Sequence, residues 1–91
     1  MAEYALPGED LIERGIGDLA RGVDSVEALL VSIGAPRLRR IGFEISRTIA
    51  SPETALYERL AESDQDSAHS RYNALIRRLV SFERAAECVV R

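Results

Sequence analysis

From Ser67 to Val89 the chain runs for 23 residues without a glycine or a proline. Across that stretch and just beyond it Tyr72, Leu75, Ile76, Leu79, Phe82, Ala86 and Val90 return at three- and four-residue spacings, with Ala68 and Val89 near the edges. A strand alternates every second residue, so only a helix of 3.6 residues per turn collects these positions on one face. Such a helix is about 35 Å long. A domain of roughly 100 residues has a radius of gyration near 13 Å, so whatever else folds must pack along it.

The segments before it carry helical signals of their own. Ser51-Pro52-Glu53 places an N-cap residue, a proline at the first helical position and an acid in the first turn. This predicts a helix over 51–62 with Leu56, Tyr57 and Leu60 inward and Ala61 at the edge, followed by a polar turn at 63–67. Asp24 followed three residues on by Glu27 has the form of a capping box. The helix it opens turns Val26, Leu29, Leu30 and Ile33 inward, leaves Val31 off that face, and stops at Gly34, a residue suited to the left-handed C-terminal position. Pro36 then starts a short helix to Ile41, with Leu38 and Ile41 inward and Arg37, Arg39 and Arg40 outward.

The first helix is expected over Glu9–Arg21, after Pro7-Gly8, with Ile12, Ile16, Leu19 and Val23 as its stripe. Gly15 and Gly17 weaken it, since each costs about 1 kcal/mol against alanine inside a helix. Gly15 lies beside the stripe and suits a close helix contact, whereas Gly17 is either tolerated or marks a bend. Residues 42–50 read as a connector that plants Phe43, Ile45 and Ile49 in the core, or as a short helical turn. Together these segments predict an all-α fold. One domain over residues 1–91 forms a small bundle of four to five helices, with the long C-terminal helix as its central packing element.

Size and composition add to this. A chain of 91 residues buries about two-thirds of its extended surface, so its core is thin and a partner would add stability. Tyr4, Phe43, Tyr57, Tyr72 and Phe82 are the only aromatics, and there is no tryptophan, which leaves the core to Leu, Ile, Val and Ala. No apolar run reaches the eighteen or so residues of a membrane span, and the start MAEYALPGED lacks the basic and apolar parts of a signal peptide. Cys88 is the single cysteine, so no internal disulfide forms. These features point to the cytoplasm.

Charge is distributed in blocks. Residues 1–34 carry −5, 35–50 carry +3, 51–66 carry −4 and 67–91 carry +3, within a net charge of −3. All twelve basic residues are arginine, a planar fork suited to carboxylate and phosphate. The blocks pair either inside one fold or between two copies.

Catalytic and metal chemistry find little support. His69 and Cys88 are the only soft ligands, 19 residues apart on one helix, about 28 Å along its axis. No cofactor is implied, because the glycines lie among helices and lack a preceding strand. Glu83 interrupts the apolar stripe of the last helix. A buried carboxylate is costly without a partner, so Glu83 sits at the rim, pairs inside the chain, or pairs across a subunit interface.

The expected function is therefore a non-catalytic helical protein–protein interaction module. Its partner is a second copy or another protein, and its interface is Tyr72, Leu75, Leu79, Phe82, Glu83, Ala86 and Val90. Arg37, Arg39, Arg40 and Arg47 form an expected surface for an anion or an acidic partner. The alternative is a small helix-turn-helix-like DNA-binding regulator using residues 25–47. Its recognition helix, 36–41, lacks Asn, Gln, Ser and Thr for reading base edges, and the acidic net charge disfavours nucleic acid and membrane surfaces alike.

Overall fold

A computed structural model describes residues 6–90, the side chain of Val90 excepted. Four α-helices occur among them: α1 (Glu9–Ala20), α2 (Val26–Ile41), α3 (Pro52–Ser63) and α4 (Ala68–Val90), with a 3-10 turn at Gln65–Ser67 leading into α4. No strand is present among the described residues. The all-α expectation holds, with the number of helices at the lower end of the predicted range.

α1 starts where Gly8, at φ 76°, turns the chain, and the Glu9 carboxylate reaches back to accept the Leu6 N–H at 2.8 Å. Its end is a Schellman motif. Gly22 adopts φ 76°, Gly22 N–H bonds the Leu19 carbonyl, and Val23 N–H bonds that of Asp18. The helix is over by Ala20, so Val23 leaves the predicted stripe and is exposed, while Ile12 and Leu19 are fully buried. Gly15 does provide the close contact. A Cβ there would lie 2.3 Å from the Glu27 carbonyl oxygen and 2.4 Å from a Val31 methyl on α2.

α2 corrects three expectations. Its N-cap is Ser25, whose Oγ accepts the Ala28 N–H at 3.0 Å and donates to Asp18 at 2.5 Å. This ties the start of α2 to the end of α1, and Asp24 stays outside the helix. Val31, expected off the apolar face, is fully buried against Gly15. Gly34 does not end the helix, which runs through Pro36 to Ile41. The proline removes one helical hydrogen bond and costs about 3 kcal/mol, but Ala35 and Leu38 on either side are buried. Packing on three other helices outweighs the local break. Gly34 works instead as an approach site, where a Cβ would lie 2.8 Å from both Glu83 Oε2 and a Leu79 methyl of α4.

Residues 43–49 form an irregular connector, the first of the two predicted alternatives. Ile45 is buried, and Phe43 and Ile49 pack against the core. Ser32 fixes its far end, donating to the Ala28 carbonyl at 2.9 Å and accepting the Ile49 N–H at 3.1 Å. Ser51 occupies the N-cap position of α3, but at φ 48° and without a side-chain capping bond, and Pro52 follows in the first turn as expected. The long α4 packs along α2 and α3, while α2 meets all three other helices. The long axis of the molecule, 39 Å, is close to the length of α4. No described helix is long and apolar enough to cross a membrane.

Candidate functional site

The expected interface stripe of α4 is largely occupied by the chain's own core. Leu79, Phe82, Glu83 and Ala86 are buried, and Phe82 meets Phe43 with ring centroids 5.5 Å apart. Tyr72 and Leu75 are half-buried, and the side chain of Val90 lies outside the described residues. Among the described side chains of the stripe, only Tyr72 and Leu75 therefore reach the surface.

Glu83 pairs inside the chain, one of the three settings predicted for it. Arg37 Nη1 lies 3.3 Å from Glu83 Oε1, and Arg37 Nε and Nη2 donate to the two oxygens of Glu87 at 2.9 and 2.7 Å. Glu83 is 4% exposed. Burial pushes its carboxyl above the usual range, Arg37 pulls it back, and the neighbouring Glu87 adds to the rise. Arg37 is held above its ordinary value, chiefly by its hydrogen bond to Glu87. The absence of a side chain at Gly34 makes room for the Glu83 carboxylate.

The expected anion surface is dispersed. Arg37 is turned to α4, Arg39 donates to the Ile45 carbonyl at 2.9 Å, and Arg47 donates to the Leu19 carbonyl at 2.9 Å and to Asp24 at 3.0 Å. Of that set only Arg40 has no hydrogen bond or ion pair among the described residues. The helix–turn–helix layout over 25–41 is not formed either, because α2 is one helix from Val26 to Ile41. At the start of α4, Asp64 accepts the Asp66 N–H, while His69 Nε2 lies 3.2 Å from Asn73 Nδ2. Cys88 is exposed, and no group of metal-ligating side chains occurs among the described residues.

The open chemistry lies at the α3–α4 edge. Tyr57, predicted inward, is 40% exposed, because Leu56 and Leu60 already fill the inner face of α3. Its ring is tilted at 57° against Tyr72 of α4, with centroids 5.9 Å apart. Glu53, Thr54, Tyr57 and Glu58 fall at helical spacing on one face of α3, and with Tyr72 they line a cleft of about 400 Å³. Neither Glu53 nor Glu58 makes an ion pair among the described residues. Another opening, about 270 Å³, is lined by Leu11, Val26, Leu60 and Leu75 together with Arg71 and Arg78. The sequence reading missed the first cleft. Its signal was present in the i, i+4 spacing of Glu53 and Tyr57, which sets a carboxylate beside a ring on a polar face.

The blocks of charge resolve unevenly. Asp24 pairs with Arg47, Asp18 with Arg21, Glu27 with Arg14 at 3.8 Å, and Arg37 with both acids of α4. Glu53, Glu58 and Glu62 of α3 and Arg71, Arg77 and Arg84 of α4 take part in no ion pair among the described residues, although the two helices are neighbours. Arg78 reaches Asp10 at 3.7 Å. No known family model, characterised protein or solved structure matches the chain. The functional reading therefore rests on geometry and charge.

Proposed function

We propose that this chain is a non-catalytic helical protein–protein interaction module that associates with further copies of itself. The observation that carries the reading is the uncompensated charge on α3 and α4. Glu53, Glu58 and Glu62 of α3 and Arg71, Arg77 and Arg84 of α4 make no ion pair among the described residues, and the two acids of α4 are already engaged by Arg37. Arg59 donates to the Asp24 carbonyl. What remains is an acidic surface and a basic surface on one molecule, each suited to the other on a neighbouring copy. The separation of His69 and Cys88 along α4, and the engagement of His69 with Asn73, support a binding role over a catalytic one. An exposed lone cysteine suits a reducing compartment, and we place the module in the cytoplasm on that ground.

Sedimentation velocity over a concentration series tests the reading. At low ionic strength the chain is expected to form dimers or larger species in the micromolar range. At about 0.5 M salt, where the screening length falls to a few ångströms, the equilibrium shifts towards monomer. A monomer across the series at low salt overturns the proposal.

A further inference from the structure

We propose that the cleft between Tyr57 and Tyr72 is a guanidinium-binding site, filled by the Arg77–Arg84 edge of α4 from a second copy. The inference rests on the self-association reading and names the contact that produces it.

The cleft has the chemistry such a ligand requires. A guanidinium is planar and weakly hydrated, so it both lies on an aromatic face and donates N–H bonds in its own plane. Tyr57 supplies a ring that Tyr72 holds at a fixed tilt, and its exposure leaves ring surface accessible. Glu53 and Glu58 supply carboxylates on either side of it in sequence, on the same face of α3 and lining the same cleft. A carboxylate ligand is repelled by both glutamates, and an aliphatic side chain would leave them unpaired. The volume of about 400 Å³ admits a side chain of this length together with its first waters.

The same chain does not supply the cation. Neither Arg77 nor Arg84, which follows it two turns later on the same flank of α4, lines the cleft. Neither has an ion pair among the described residues. Cleft and edge are thus two different surfaces, and the contact is heterologous, with the basic edge of one copy in the acidic aromatic cleft of the next.

Three proteins test the charge pairing: wild type, a cleft variant (Glu53→Arg with Glu58→Arg) and an edge variant (Arg77→Glu with Arg84→Glu). Helical circular dichroism and an unfolding midpoint first establish that all three fold. Each variant alone is expected to associate at least about tenfold more weakly than wild type, since like charges then face each other. Mixed one to one, the two variants are expected to form a 1:1 dimer, because the edge variant keeps an intact cleft and the cleft variant an intact edge. Tyr57→Phe keeps association and Tyr57→Leu weakens it, which separates stacking on a ring from plain apolar burial. Wild-type association by either charge variant, or failure of the mixture to pair, overturns the site while leaving self-association standing. A monomeric wild type overturns the underlying reading itself.

Discussion

Replacing Gly15 with alanine is expected to force α1 and α2 apart, whereas the same change at Gly17 is expected to stabilise the protein. Both glycines sit inside α1, and each alanine brings the same intrinsic gain of about 1 kcal/mol for a helix interior. The difference lies in what the new methyl meets. At Gly15 it would lie 2.3 Å from the Glu27 carbonyl oxygen, with the Val31 methyl at 2.4 Å and the Glu27 carbonyl carbon at 2.8 Å. Two of those three atoms are backbone, so no rotamer change relieves the overlap. The helices must separate by roughly 1 Å to restore van der Waals distance, and this loosens the packing around Ile12, Leu19 and Val31. Overpacking of this kind costs about 1–3 kcal/mol. With backbone atoms in the way the upper end applies, which leaves a net loss of about 2 kcal/mol after the helical gain. At Gly17 the nearest foreign atom is the tip of the Arg21 side chain at 3.3 Å, which swings aside. For a domain of this size 1 kcal/mol moves Tm by about 4–8 °C. Gly15→Ala is thus expected to melt about 8–16 °C lower than wild type and Gly17→Ala about 4–8 °C higher. Thermal and urea unfolding followed by circular dichroism reads both. If Gly15→Ala matches or exceeds wild type in stability, the close α1–α2 contact is wrong.

Two further outcomes follow from buried polar groups. The Glu83 carboxyl is raised in the folded chain by burial, so the folded state holds that proton more tightly than the unfolded state. Its stabilising contribution is full below the unfolded value and is lost as pH rises through the folded one. In urea titrations the stability of Glu83→Gln relative to wild type is expected to improve as pH climbs through that window, and a pH-independent difference would refute the assignment. Ser32→Ala leaves the Ile49 N–H without its acceptor and is expected to cost about 1–2 kcal/mol, with faster amide exchange at Ile49 as its local signature.

The helices were legible in the sequence wherever the signal was local. The glycine-free stripe of α4 and Pro52 at the start of α3 both appear where the residues placed them. For 42–50 the burial of Phe43, Ile45 and Ile49 was readable, but the choice between an irregular connector and a short helical turn was not. Errors arose where two local signals competed with packing. Gly34 and Pro36 together look like the end of one helix and the start of another, yet burial of Ala35 and Leu38 carries α2 straight through. Tyr57 looked like a core residue by spacing and hydrophobicity, but Leu56 and Leu60 leave no room for it on the inner face of α3.

The candidate site shows the same division. Sequence patterning determined an all-helical chain, the stretches that become helix, and the blocks of charge along it, because periodicity, capping and charge are properties of neighbouring residues. Which charges cancel was decided only by the tertiary structure. Arg37, some fifty residues from Glu87, is spent inside the molecule, whereas Glu58 and Arg77, on adjacent helices, make no ion pair among the described residues. Chain order gives no measure of the direction in which a side chain leaves its helix once that helix is docked. That direction sets whether a charge is neutralised at home or left for a partner.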